Sequence, residues 1–231
     1  MRAPARYRPP VAADTGLDSS FVGLQSTVFL LSPAQCGSER ARMLTAKAAG
    51  FPLAQQLRAP EGASLGDVFA FLSALYFRGK LAYAQQFARP PAGLDGVLVI
   101  TPGAGLLPAR TRVGVDHMRA FADVDIHHAN ERYVAPLVRD ISRVAALSSI
   151  DTRFVLLGSI ASAKYLTPLL DVLRDQLYFP ADFVGRGDMS RGGLLLRCAR
   201  ERRELEYIPV AGATLHGKRP PRLAKLPPRA R

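Results

Sequence analysis

The sequence lacks the marks of several common protein classes. Its two cysteines, Cys36 and Cys198, lie far apart and match no metal-ligand spacing, which points to a reduced chain without a cysteine metal site. No apolar run approaches the ~20 residues needed to span a bilayer, so no membrane partner is expected. The opening stretch, MRAPARYRPPVAADTG, has arginines but no apolar segment behind them, unlike a secretory signal. There is no internal repeat, and acid is missing from residues 216–231, which carry six Lys/Arg and no Asp or Glu. A cytoplasmic, reduced protein is the simplest expectation.

What is present suits a globular chain. Its 231 residues allow one sizeable core, and 48% apolar with 22% charged residues is ordinary for a folded domain. Half of the +12 net charge sits on the C-terminal stretch, through Lys218, Arg219, Arg222, Lys225, Arg229 and Arg231. Such a Pro/Arg tail buries too little apolar surface to fold. It either attracts nucleic acid without regard to sequence or simply keeps the chain dissolved. The reading divides the chain into a flexible leader (1–24, with Pro4, Pro9 and Pro10), one α/β domain (25–212) and a basic tail (213–231).

Within the domain, residues 26–31 (STVFLL) and 96–100 (GVLVI) are short runs of β-formers bounded by Pro or Gly, and read as buried strands. Residues 154–157 give a third strand and 176–179 a fourth. Residues 206–210 read as an edge strand, which Pro209 suits. Between them lie helical patterns. Ser64 is the expected N-cap of a stretch reaching Phe87, with Leu65, Val68, Phe69, Leu72 and Leu75 on its stripe and Gly79 as an interruption. Further helices are expected over 132–147, from Gly158 to Leu173 and over 194–203. Residues 108–130 show no strong period and read as a long loop that has room for short helical turns. Strands separated by helices imply parallel pairing, hence a three-layer, Rossmann-like α/β sandwich with a mainly parallel sheet of four to five strands.

In open sheets of this kind ligands bind beyond the carboxyl ends of the strands, so four loops are candidates. The first, Ser32 to Ser38, enters a helix whose free N–H groups favour an anion; Cys36 there is either a small packing residue or a thiol of lowered pKa that could serve as a nucleophile. The second contains Gly103 and Gly105, which permit close backbone approach to a ligand but equally make a tight turn. The third offers Ser159, Ser162 and Lys164 as polar ligand contacts at a helix start, without the spacing of a phosphate-binding P-loop. The fourth, residues 185–193, joins Arg186, Asp188, Ser190 and Arg191 to the pair Gly192-Gly193. Asp188 is read as either a helix N-cap or a general acid/base, and Arg191 as its ion-pair partner or a clamp for a carboxylate or phosphate. Two helical glycines, each costing roughly 1 kcal/mol against alanine, imply that a ligand or a neighbouring strand comes close. His117, His127 and His128, with Asp123 and Asp125, read as a solvated loop rather than a metal site.

Several segments carry a family resemblance: LLSPAQCGSERAR (from Leu30), LYFRGKLAYA (from Leu75), VITPGAGLL (from Val99), FVLLGSIASAKYLTPLLDVL (from Phe154) and GRGDMSRGGLL (from Gly185). In this order they resemble a bacterial family of small α/β domains, itself distantly similar to the uracil-DNA-glycosylase-like domain of archaeosine synthase. The resemblance implies a Rossmann-like fold and a link to nucleobases, modified nucleosides or nucleic acid. Glycosylases of that fold carry a water-activating Asp or Asn after the first strand and a later His-containing loop. Here the corresponding loops hold Ser32, Gln35 and Cys36, then Ser159, Ser162 and Lys164, so the usual base-excision machinery is not visible. Tyr76, Phe77, Arg78 and Tyr83 form either a base-stacking platform or, for Phe77 and Tyr83 above all, core.

The functional expectation is therefore an enzyme acting on a nucleoside, nucleotide or nucleobase, with N-glycosidic bond chemistry at Asp188. The alternatives are a non-catalytic nucleic-acid-binding module using Arg186, Arg191 and the tail, and a small-molecule-binding scaffold. The residues specify no cofactor and no oligomeric state.

Overall fold

The computed structural model describes residues 25–214 together with Gly217, Lys218, Pro220, Pro221 and Leu223. The leader and most of the basic tail lie outside the described residues. The chain is mixed α/β, with a six-stranded, mostly parallel sheet and, among the described residues, seven α-helices. No described helix is long and apolar enough to cross a membrane.

The central strand β1 (Thr27–Leu31) is buried along its whole length. A strand covered on both faces needs this continuous apolar run rather than alternation. It pairs in parallel with β3 (Val97–Ile100) on one side and β6 (Arg153–Leu157) on the other. Beyond β6 come β7 (Leu177–Pro180), parallel, and β8 (Tyr207–Pro209), antiparallel at the edge as Pro209 requires. The other edge is β4 (Leu106–Pro108), antiparallel to β3. This strand makes the sheet larger than the four to five strands expected. Gly105, at φ +67°, turns the chain back so that only three residues return along β3. So short a run has no visible period.

The segment expected as a long loop with short helical turns, 108–130, contains a short strand and a two-turn helix. β5 (Arg112–Val113) pairs with β2 (Ala63–Ser64), and α4 (Val115–Ala122) buries Met118 and Phe121. The strands are too short for periodicity to show, and β5 finds its partner β2 about 50 residues back along the chain.

After β1 the chain passes through α1 (Glu39–Thr45) and α2 (Pro52–Arg58) to α3 (Leu65–Phe87). Ser64 caps α3 as expected, its hydroxyl accepting from the Asp67 N–H at 3.3 Å. The interruption in α3 is at Ala74 (φ +47°, ψ −118°) and not at Gly79. The break re-aims the second half of the helix so that Tyr76 and Lys80 face the strand ends.

Gly79 and Gly192 instead let α3 pack against α7 (Asp188–Glu201) with backbones almost touching. A Cβ on Gly79 would lie 2.5 Å from the Gly192 carbonyl oxygen, and one on Gly192 would lie 2.7 Å from the Tyr76 Cα. The neighbour foreseen for the glycine pair is thus a helix, not a strand or ligand. Gly193 has only an ordinary 3.6 Å contact with Leu223. Between β5 and β7 run α4, α5 (Glu131–Ala146) and α6 (Ala163–Leu173); α5 turns Tyr133, Leu137 and Ile141 inward.

Candidate functional site

Two directions of connection diverge from the middle of the sheet. From β1 the chain crosses to β3; from β6 it crosses to β7 on the opposite side. The carboxyl ends of β1 and β6 therefore flank a switch point, where open α/β sheets form their ligand crevices. A cavity of about 750 Å³ lies there. Ser32 to Gly37 follow β1 into it, Ser159 follows β6, Lys164 and Tyr165 come from α6, and Asp188 opens α7. Tyr76 and Lys80 reach it from the second half of α3, and residues 121–126 close another side.

Lys80 is the most unusual residue in this group. It is 1% exposed, although it belongs to a residue type rarely buried without a partner. Its amine lies 2.6 Å from the Ser32 carbonyl oxygen and 2.9 Å from Ser32 Oγ. The rings of Tyr76 and Phe77 flank it, at 4.5 and 4.8 Å from their centroids. Among the described residues no carboxylate comes within ion-pair distance of it. Burial lowers its pKa to about 7, against a smaller opposing pull from the Asp188 carboxylate. Ser32 itself is held by its N–H, which donates to the Leu157 carbonyl at 3.2 Å.

Tyr76 is also buried, and its hydroxyl has no hydrogen-bond partner among the described residues. Burial raises its pKa, so the phenol stays protonated. A buried, protonated hydroxyl beside a cavity is a donor lacking an acceptor, which a ligand oxygen or nitrogen could supply.

The structure brings Asp188, Cys36, Ser159 and Lys164 of the expected set to this cavity. Asp188 is the first residue of α7, with Gly187 and not Asp188 as its N-cap. The Asp188 carboxylate is largely exposed and lies 3.6 Å from Arg191. Arg191 is buried behind it, donating to the Phe183 carbonyl at 2.9 and 3.3 Å and to the Gly158 carbonyl at 3.5 Å. It thus ties the loop after β6 to the start of α7 and is committed to protein groups.

Other expected residues lie elsewhere. Arg186 and Ser190 are 3.4 Å apart and line a separate cavity of about 400 Å³. Ser162 occupies the N-cap position of α6 without making a side-chain cap bond. Gly103 packs against Val124. Gly105 is needed for its turn, since a Cβ there would meet the Pro136 carbonyl of α5 at 2.6 Å.

Cys36 sits in the structure as a packing residue, without the lowered pKa that the nucleophile reading requires. Its thiol is buried, contacts the Ala34 carbonyl at 3.5 Å, and is pushed up to about 12 by burial. Desolvation outweighs any effect of the seven-residue helix that follows. Phe77 and Tyr83 are core, the Tyr83 hydroxyl lying 2.7 Å from that of Tyr207. His117 accepts the Gly114 N–H at 3.1 Å, and the described residues contain no metal-holding group of His, Cys, Asp and Glu.

Sequence reasoning missed Lys80. The signal was there: four of its i±3 and i±4 neighbours, Tyr76, Phe77, Tyr83 and Ala84, are apolar or aromatic, so helical spacing puts the lysine inside the buried stripe. Compared with known proteins, the chain matches no protein-family model, no curated protein and no solved structure.

Proposed function

We propose that this protein is an enzyme acting on a nucleobase-containing small molecule, a nucleoside or nucleotide, bound at the carboxyl ends of β1 and β6. The observation that carries the reading is the cavity itself. At about 750 Å³ it is of ligand size, and it combines the rings of Tyr76, Tyr165 and Phe121 with polar groups on Ser159, Lys164 and Asp188. A flat heteroaromatic ring needs such a mixture of apolar walls and scattered donors and acceptors. The unpartnered Tyr76 hydroxyl provides one donor. The resemblance to a glycosylase-like domain supports the same ligand class, and with it a three-layer, Rossmann-like arrangement of the helices about the sheet.

The bond in this reading is N-glycosidic. Asp123, Asp125 and Asp188 all border the cavity, and carboxylates stabilise the positive charge that develops on a sugar as its base departs. Asp188 is the acid/base group in this scheme, with Arg191 holding its position.

The test is a thermal-melting panel of nucleosides, nucleotides and free bases. At 100 times Kd a ligand adds about 2.7 kcal/mol, which raises the Tm of a chain this size by roughly 5–10 °C. At least one compound is expected to give such a shift. Asp188→Asn should keep the fold and the shift but lose at least about 100-fold in release of free base, measured by chromatography. Absence of a shift with every nucleobase compound contradicts the reading.

A further inference from the structure

We propose that Ser32 is a nucleophile activated by Lys80, and that it attacks the carbonyl carbon of an acyl substrate (an ester, thioester or amide) entering the same cavity. This goes beyond the nucleobase reading and does not rest on it.

Three observations carry the proposal. The first is the pair itself, with Lys80 Nζ 2.9 Å from Ser32 Oγ and 2.6 Å from the Ser32 carbonyl oxygen. A neutral amine fits both contacts, donating an N–H to the carbonyl while its lone pair accepts the hydroxyl proton. Burial without a counter-ion favours that neutral form over an ammonium, and outweighs the attraction that the faces of the Tyr76 and Phe77 rings exert on a cation. A lysine amine held against a serine hydroxyl is a recognised variant of the nucleophile–base arrangement.

The second is the placing of the hydroxyl. Ser32 borders the cavity, and Gly158 of the neighbouring strand end packs closely against it, a Cβ there standing 2.8 Å from Ser32 Cβ and 3.0 Å from its Oγ, so no side chain at 158 covers the serine. The third is a set of free donors. The backbone N–H groups of Ala34, Gln35, Cys36 and Gly37 meet no acceptor among the described residues, and these residues border the cavity immediately after Ser32. Unpaired amides next to a nucleophile can stabilise the oxyanion of a tetrahedral intermediate.

The chemistry balances without a further reagent. The Ser32 hydroxyl proton passes to Lys80 Nζ as Oγ bonds to the carbonyl carbon, giving an oxyanion. Collapse breaks the bond to the leaving alcohol, thiol or amine, which takes the proton from the Lys80 ammonium. Water then attacks the acyl-serine, with Lys80 again accepting and returning a proton. Asp188 and Arg191 on α7, Lys164 and Tyr165 on α6, Tyr76 on α3, Cys36 after β1, and Asp123 and Asp125 after α4 are the other ionisable groups around this cavity. Burial keeps the phenols and the thiol protonated through neutral pH.

The experiment treats the full chain with a fluorophosphonate and, separately, with the smaller phenylmethylsulfonyl fluoride, from pH 6 to 9. Intact mass and peptide mapping locate any adduct. The expected result is one adduct, on Ser32, forming at a rate that rises with pH through a midpoint near 7. Ser32→Ala should abolish it, and Lys80→Met should slow it at least 100-fold in protein shown by melting to be folded. The wild-type chain alone can overturn the proposal. No adduct with either probe, an adduct on another residue, or a rate independent of pH would each do so, as would undiminished labelling of folded Lys80→Met. Neither probe contains a nucleobase, so failed labelling leaves nucleoside binding standing, and a failed melting panel leaves Ser32 labelling standing.

Discussion

Gly192→Val is expected to destabilise the fold by at least about 3 kcal/mol, lowering Tm by roughly 6–12 °C. Even a single added carbon would lie 2.7 Å from the Tyr76 Cα and 2.8 Å from the Leu75 carbonyl oxygen. Those atoms are backbone and cannot rotate aside, so α3 and α7 would have to separate along a shared contact that includes Gly79. The neighbouring Gly193→Ala substitution is the control. Its Cβ meets only the end of the Leu223 side chain at 3.6 Å, and alanine is favoured over glycine within a helix by up to about 1 kcal/mol. Opposite signs at adjacent positions, measured by thermal or urea denaturation, separate helix packing from general intolerance of the loop–helix junction. Equal effects at the two positions would disprove the close crossing. The same displacement would move Tyr76, so Gly192→Val should also impair whatever the cavity binds.

The second large effect is on the pH dependence of stability. Lys80 is lowered from 10.5 to about 7 in the folded chain. Below pH 7 it is charged whether folded or unfolded, and the full penalty of burying that charge is present. Between about 7 and 10.5 the unfolded chain binds a proton that the folded chain has released, so stability rises with pH. At about 1.4 kcal/mol per pH unit, the difference between wild type and Lys80→Met should shift in favour of wild type by roughly 2–3 kcal/mol from pH 7 to 9. Urea unfolding of both proteins across that interval measures it. The comparison cancels the titration of other groups common to both chains. A difference that does not change with pH would mean that Lys80 keeps its proton on folding and is buried as an ammonium.

Both predictions arise at positions where one-dimensional patterning carries only part of the information. The strands of the parallel core were legible because each is a short apolar run between Pro or Gly, as in STVFLL before Ser32-Pro33. The α3 cap was legible because Ser64 and Asp67 have the right spacing and order. By contrast, β4, β2 and β5 are two or three residues long and become visible only through distant partners. The break in α3 falls on Ala74, a residue with no local reason to adopt positive φ, while Gly79 drew attention for its flexibility and is used for its small size. The Gly192-Gly193 pair signalled a close approach, which Gly192 alone makes, and to a helix where a ligand or strand was expected. In the site, the strand-end loops could be ranked from sequence, which brought Asp188, Ser159 and Lys164 into view. The Ser32–Lys80 pair could not be assembled, because 48 residues separate its members and only the return of α3 across β1 joins them.

The cavity floor therefore has a chemistry that depends on one proton. The most direct measurement is a titration of the Lys80 side chain in the intact protein by carbon-13 NMR at Cε, assigned by loss of the resonance in Lys80→Met. A midpoint near 7 is expected, well below the ordinary lysine value of 10.5. A midpoint close to 10.5 would contradict the account, since Lys80 would then remain an ammonium at neutral pH and could not take the Ser32 proton.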